Sequence, residues 1–103
     1  MIGGTGISTN LIVPETVLIQ EQIFTVTAIG RAAFEERSLT SVALPNTLES
    51  IGIRAFFGNA ITMPILPDNL NSIGFRAFQE NNISGTFILP NSVSSLALSL
   101  IHI

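Results

Sequence analysis

A six-residue motif occurs three times in this chain at a constant interval. The motif Ile-Gly-x-x-Ala-Phe begins at Ile29, Ile51 and Ile73, so the interval between successive copies is 22 in both cases. A constant period of about 20 to 50 residues is typical of repeat proteins, in which each repeat stacks on its neighbours. We therefore expect a stack of similar units with one continuous hydrophobic core.

A second series of residues, the prolines, follows the same repeat. Each of four prolines comes after an apolar residue and before two polar residues, at positions 14, 45, 67 and 90. Proline lacks an amide N–H and does not fit inside a central strand, so these residues are expected to end strands. The three intervals between them are 31, 22 and 23. The repeat is therefore predicted from two independent sets of positions.

The first interval is nine residues longer than the repeat period, and the segment 18–25 lies in this extra length. β-Branched and apolar residues flank a polar centre there, which predicts an extended ribbon, most simply a hairpin. The end of a repeat stack exposes core side chains and needs a cap. We expect the ribbon to cover the first turn of the stack.

These patterns predict a β-rich repeat solenoid with a short helical turn around each Ala-Phe pair. The chain should contain about three full repeats with the period given above, together with partial ends. The predicted organisation has a flexible lead-in (1–10), a cap-like strand and ribbon (11–25), three repeats (26–92) and a partial repeat or irregular segment (93–103).

The repeated apolar and glycine positions are predicted to form the inner seam of the stack. The glycine of each motif is expected to allow a sharp bend or a close approach between neighbouring turns, and the three phenylalanines are expected to form a column. Pro64 falls where Val42 stands in the previous repeat, which predicts a lost hydrogen bond or a bulge. The predicted seam consists of Ile29, Gly30, Phe34, Leu39, Leu44, Ile51, Gly52, Phe56, Ile61, Leu66, Ile73, Gly74, Phe78, Ile83 and Leu89.

Composition excludes several classes of function. Four arginines and no lysine stand against seven acidic residues, for a formal net charge of −3. This balance argues against nucleic-acid binding and against electrostatic attachment to anionic lipid. The absence of cysteine excludes disulfides and thiolate metal sites, and no stretch has the roughly 20 apolar residues needed for membrane insertion. The first residues lack the features of a signal peptide, and no cofactor is predicted.

Few side chains suggest chemistry. His102 is the only histidine and has no acidic residue near it, so an incidental position is favoured over a catalytic one. Adjacent Glu35 and Glu36 fit a solvated corner better than an acid–base pair. Arg54 and Arg76, at equivalent positions, either form a ridge that binds a carboxylate or pack their stems and pair with an acid such as Glu80 or Asp68.

The joint pattern L-x-x-V-x-L-P-x-x-L-x-x-I-G-x-x-A-F resembles the leucine-rich repeats of the BspA-like type, over Val13 to about Leu96. In that family Cys or Asn often follows Ala-Phe; Asn59 and Asn81 fit this place, whereas Arg37 stands there in the first repeat. The resemblance implies a curved solenoid with strands on its concave face. It also implies a secreted or surface-attached protein used in adhesion, and it supplies no catalytic residues.

The leading functional hypothesis is a non-enzymatic binding or adhesion module for a protein or cell-surface ligand. Polar positions such as Thr40 and Thr62 on the presumed concave face are candidate contacts. The apolar segment 96–103 departs from the repeat. It is interpreted as part of a longer array, as an irregular cap, or as an end that stacks on the next molecule. The last alternative makes the chain a structural subunit of a filament.

Overall fold

The structure, a computed structural model, describes residues 9–83. This part of the chain is β-rich and contains no helix, hence none that is long and apolar enough to cross a membrane. Its strands are β1 (Asn10–Ile12), β2 (Thr16–Ile19), β3 (Gln22–Thr25), β4 (Ala28–Ile29), β5 (Ser41–Ala43), β6 (Ser50–Ile51) and β7 (Ser72–Ile73). β1 begins inside the segment predicted as a flexible lead-in, because Asn10 pairs with Ser41.

The chain runs through three successive layers, which we define by their residues. Layer 1 is 9–38, layer 2 is 39–60 and layer 3 is 61–82. Strands β4, β6 and β7 form a parallel sheet with one strand from each layer, in which Ile29 pairs with Ile51 and Ile51 with Ile73. The sequence period is therefore the offset between paired residues of adjacent layers.

A second parallel sheet joins layers 1 and 2. β1 pairs with β5, with Leu11 opposite Val42, so the offset equals the first proline interval. This offset exceeds the sequence period by nine residues. The longer first proline interval therefore equals the observed register of β1 with β5. Layer 3 has no strand at the corresponding place. Pro64 is buried there and lacks the N–H that a continued ladder needs.

The predicted short helical turns are absent from residues 9–83, and this prediction is wrong. The segments after the motif glycines, 31–36, 53–58 and 75–78, form consecutive turns instead. Ala32, Arg54 and Arg76 have φ values of 55°, 57° and 61°, outside the helical region. The amide N–H of Phe34 donates to the carbonyl of Ala55 in the next layer at 2.8 Å, not to a carbonyl within its own turn.

The core lies between these strands and turns, and a column of phenylalanine rings runs through it. The ring centroids of Phe34 and Phe56 are 5.6 Å apart, and those of Phe56 and Phe78 are 5.3 Å apart, with nearly parallel planes. Phe56 is fully buried, Phe78 is 1% exposed and Phe34 is half-buried. The stacked separation is within the favourable range for aromatic pairs, so the column links all three layers.

The other residues of the predicted seam divide by burial. Those that are buried are Ile29, Leu39, Ile51, Ile61, Leu66 and Ile83. Those that are half-buried are Leu44, Gly52, Ile73 and Gly74. Gly30 is exposed, and Leu89 lies outside the described residues, as do His102 and the segment 93–103.

The inserted ribbon is a hairpin in which β2 pairs antiparallel with β3. Every residue of both strands is exposed, including Leu18 at 70% and Ile23 at 73%. Its side chains are not among those packed on the buried core. The hairpin therefore buries little apolar surface against layer 1, and its predicted role as a cap of the first turn stays a prediction.

Candidate functional site

The exposed side chains beside β1 and β5 form a continuous surface that we call the strand face. Inward and outward residues alternate along a strand, so Leu11, Val42 and Pro64 turn toward the core and their neighbours face solvent. In layer 3 the equivalent outward positions follow from the sequence period. The strand face consists of Thr9, Asn10, Ile12, Thr40, Ser41, Ala43, Thr62, Met63 and Ile65, all of them exposed.

Apolar and hydroxyl side chains share the strand face. Ile12 is 75% exposed and Ile65 is 76% exposed. Ile12 pairs with Ala43 between β1 and β5, and Ile65 holds the equivalent position of layer 3 by the sequence period. None of the nine residues is charged. Recognition by this surface would therefore depend on apolar contact and hydrogen bonds rather than on charge.

The two threonines proposed as contacts both lie on the strand face. The Oγ1 of Thr40 is 3.0 Å from the Oγ1 of Thr9 and 3.3 Å from the carbonyl oxygen of Thr9. Beside them, the Ser41 hydroxyl donates to the Asn10 amide oxygen at 2.6 Å. These bonds tie the first two layers together, and they hold the hydroxyl groups in place at the surface.

The two arginines considered for a carboxylate-binding ridge differ in their contacts. The guanidinium of Arg54 forms an ion pair with Glu35 in layer 1, with Nε 3.1 Å from Oε2. Its Cζ also lies 3.9 Å from the centroid of the Phe57 ring. The acid that pairs with Arg54 is thus neither Glu80 nor Asp68.

Arg76 lies in the equivalent position of layer 3. Its Cζ is 4.9 Å from the centroid of the Phe75 ring, a cation–π distance. The residue is exposed, whereas Arg54 is half-buried. The structure thus gives Arg54 an internal ion pair and gives Arg76 an aromatic neighbour at the surface.

Acidic side chains are dispersed across residues 9–83. No group of three or more His, Asp or Glu residues comes together there in a way that could hold a metal ion. Glu35 is bound to Arg54, while the side chain of adjacent Glu36 lies against Gly58. The two neighbouring glutamates therefore contact different groups.

Comparison with known families assigns the repeat. The family model described as "BspA type Leucine rich repeat region (6 copies)" matches residues 9–101 of the 103-residue chain. The chain belongs to this family. No curated protein and no solved structure matches it. The leucine-rich repeat therefore identifies the scaffold that carries the strand face. On that face the position of Thr9, Thr40 and Thr62 is the same in the three layers, whereas the position of Asn10, Ser41 and Met63 differs.

Sequence reasoning noted Asn59 and Asn81 only as matches to the BspA-type pattern, but these side chains join the layers. The Asn59 Oδ1 accepts from the N–H of Arg37 at 3.0 Å and from that of Leu39 at 2.9 Å. Its Nδ2 donates to the carbonyls of Phe34 and Phe56, both at 2.9 Å. The buried amide thus uses two acceptor and two donor positions, which is its full capacity.

Asn81 repeats this arrangement one layer further along. Its Oδ1 accepts from Ile61 N–H at 3.0 Å, and its Nδ2 donates to the carbonyls of Phe56 and Phe78 at 2.9 Å. Each asparagine therefore reaches back to the preceding layer. The two asparagines are separated by one sequence period, which was a signal available in the sequence.

Proposed function

We propose that the chain is a non-enzymatic protein-binding or adhesion module of a secreted or cell-surface BspA-type protein. We infer further that its layers build a solenoid, on which the strand face is the ligand-binding surface. Family membership supports the first part, because the resemblance implies adhesion at a surface. The parallel pairing of successive layers at a constant offset supports the second.

The observation that carries this proposal is the composition of the strand face. Isolated exposed apolar residues are common on protein surfaces, but a contiguous group marks an interaction site. Here Ile12, Met63 and Ile65 lie on the same face as Thr40 and Thr62. A partner of complementary chemistry is a protein surface with apolar side chains and hydrogen-bonding groups.

Backbone rigidity makes such a surface effective. In layers 1 and 2 the outward side chains project from β1 and β5, whose backbones are paired with each other, and the Thr40 N–H donates to the Thr9 carbonyl at 2.8 Å. A preorganised surface loses less conformational freedom when it binds. The absence of charge on this face also favours protein over nucleic acid or anionic lipid as the partner.

Binding to a panel of immobilised extracellular-matrix and cell-surface proteins tests the proposal. The wild-type chain should bind at least one component, and the double variant Ile12→Asp/Ile65→Asp should weaken that binding about tenfold or more, or about 1.4 kcal/mol. The matched control is Asn71→Asp/Ser72→Asp, which adds the same charge at two exposed positions where β7 begins. Absence of any binding, or equal loss in both variants, would contradict a binding role for the strand face.

A second candidate function is a structural subunit that stacks end to end into a larger array. The specific observation in its favour is the open side of layer 1. Among residues 9–83, a Cβ atom added at Gly30 would meet no atom within 4 Å, whereas one added at the equivalent glycine of layer 2 or 3 would meet the preceding layer. This candidate predicts self-association, and a protein-binding module does not require it.

A further inference from the structure

Each layer joins the next through the same backbone groups. The N–H groups of Ala32, Phe34 and Glu36 in layer 1 donate to three carbonyls of layer 2, those of Ile53, Ala55 and Phe57, at 2.8 to 2.9 Å. Layer 2 donates in the same way to layer 3, from Arg54, Phe56 and Gly58 to Phe75, Ala77 and Gln79, at 2.9 to 3.0 Å. The side of a layer that faces its predecessor is therefore an array of accepting carbonyls.

The same side also carries a donor in the motif glycine. The N–H of Gly52 donates to the Ile29 carbonyl at 2.8 Å, and that of Gly74 donates to the Ile51 carbonyl at 2.7 Å. In layer 1 the equivalent groups are the Gly30 N–H and the carbonyls of Arg31, Ala33 and Glu35. None of these four groups has a hydrogen-bond partner among residues 9–83. We call this side of layer 1 the N-terminal face.

The N-terminal face also has the space that a further layer would occupy. A Cβ added at Gly52 would lie 2.7 Å from the backbone nitrogen of Arg31, and one added at Gly74 would lie 2.4 Å from that of Ile53. Only glycine allows the preceding backbone to approach so closely. At Gly30 the same space is open within the described chain.

The phenylalanine column ends at this face. Phe56 lies between two rings and is fully buried, while Phe34 has one ring neighbour and is only half-buried. A fourth ring placed on the outer side of Phe34 would extend the column at the same spacing. Backbone groups, space and apolar surface thus all match the junction seen between layers.

One residue distinguishes this face from an internal junction. Layers 2 and 3 hold their predecessors with Asn59 and Asn81, through bonds such as that from Asn81 Nδ2 to the Phe56 carbonyl, whereas layer 1 carries exposed Arg37 at this position. A guanidinium donates hydrogen bonds but accepts none. It can bind carbonyls of an added layer but not the N–H groups that the asparagine Oδ1 holds, so a contact here lacks part of the internal clamp.

We propose that the N-terminal face docks a layer from a second copy of this chain, in the register that joins layer 1 to layer 2. The proposal rests on the second candidate function and names its contact. A second copy is the fitting partner because each described junction shows that the far side of a layer of this chain offers the complementary donors and acceptors. Such a head-to-tail contact joins different faces of the two copies and propagates unless its geometry closes.

The test measures self-association of the full 103-residue chain by sedimentation velocity over a concentration series. Wild type should associate with increasing concentration. Gly30→Ala should weaken association about tenfold or more, because its methyl group fills the space that the docked backbone needs. The thermal midpoint of this variant should not fall, since the methyl group meets no atom of residues 9–83 within 4 Å. Thr62→Ala, on the strand face, is the control and should associate as wild type does.

A gain-of-function variant tests the register. Arg37→Asn supplies the clamp present in layers 2 and 3, so association should tighten severalfold, whereas Arg37→Glu should weaken it. A wild-type chain that stays monomeric throughout the series would overturn the proposal, as would a Gly30→Ala variant that associates unchanged.

One further variant separates this contact from hairpin-mediated association. Leu18→Thr/Ile23→Thr should leave association intact, and its loss in that variant would place the contact on the hairpin and overturn the proposal. A monomer that still binds a ligand through the strand face would leave the protein-binding function standing.

Discussion

Layers 1 and 2 contain the same motif, yet its residues meet different surroundings. In layer 2 the motif phenylalanine is enclosed, the glycine touches the preceding backbone and the following asparagine is fully bonded. In layer 1 the corresponding residues face a side on which no other layer of residues 9–83 lies. The pairs are Phe34 and Phe56, Gly30 and Gly52, and Arg37 and Asn59.

This difference shows that the contribution of a motif residue to stability depends on its neighbours as well as on its residue type. Burial energy depends on the apolar area removed from water, so one residue type stabilises the fold to different degrees in the two layers. A glycine is needed only where another chain segment approaches it. Position in the stack therefore decides the effect of a substitution, and substitutions at equivalent positions measure it.

The largest expected effect is at the phenylalanine column. Phe56→Ala should lower the free energy of unfolding by about 3 to 5 kcal/mol, because it removes a fully buried ring between two others and leaves a cavity. Phe34→Ala should lower it by about half as much, since that ring is half-buried with one ring neighbour. Urea denaturation of both variants measures the difference. Equal losses would show that the end of the column is as well covered as its middle.

Much of the layered arrangement could be predicted from the sequence, because the spacing of the repeated residues equals the register in which the strands pair. The period of the motif is the register of β4, β6 and β7, and the first proline interval is the register of β1 with β5. The period is the number of residues per layer. When strands of successive layers pair in parallel, residues one period apart therefore become direct neighbours. For the same reason, the stacking of the phenylalanine rings followed from their positions alone.

Local conformation and side-chain partners did not follow from spacing. The turn after each motif glycine looks helical by composition, but interlayer hydrogen bonds and a positive φ at Ala32, Arg54 and Arg76 make it a series of turns. Arg54 finds its acid in the preceding layer, in Glu35. Such a pairing depends on where two turns place their side chains, which a period does not encode.

For a similar reason, only part of the strand face could be predicted from the sequence. Thr40 and Thr62 could be placed on it from the strand pattern, but Ile12 and Ile65 could not be told from core residues. Alternation has to be anchored to a buried position before it separates inside from outside. That anchor is Val42, which the structure buries and pairs with Leu11.

The motif glycines give the intermediate effect and the sharpest contrast between the layers. Gly52→Ala should destabilise the protein by about 1 to 3 kcal/mol, because its Cβ would lie within 2.9 Å of three backbone atoms of layer 1. Gly30→Ala should be neutral or stabilising by up to about 1 kcal/mol through the lower entropy of the unfolded chain. Thermal unfolding of the two variants, at a concentration where the protein is monomeric, measures both signs. A destabilised Gly30→Ala variant would show that another segment covers the N-terminal face.

The smallest expected effect is in the hairpin, which belongs to layer 1 but has no counterpart in layer 2. Its two-residue turn holds Gln20 and Glu21 at φ values of 51° and 67°. Turns with two such residues favour Asn-Gly, so Gln20→Asn/Glu21→Gly should stabilise the hairpin by about 1 kcal/mol. Gln20→Pro should have the opposite effect, because the proline ring locks φ at a negative value.

Hydrogen exchange of the β2 and β3 amides reports these changes in the hairpin directly. Global unfolding should shift little, since all side chains of the two strands are exposed and the hairpin can open without disturbing the core. If both variants instead moved the unfolding midpoint of the whole chain, the hairpin would be part of the cooperative unit, and the contrast between insertion and stack would not hold.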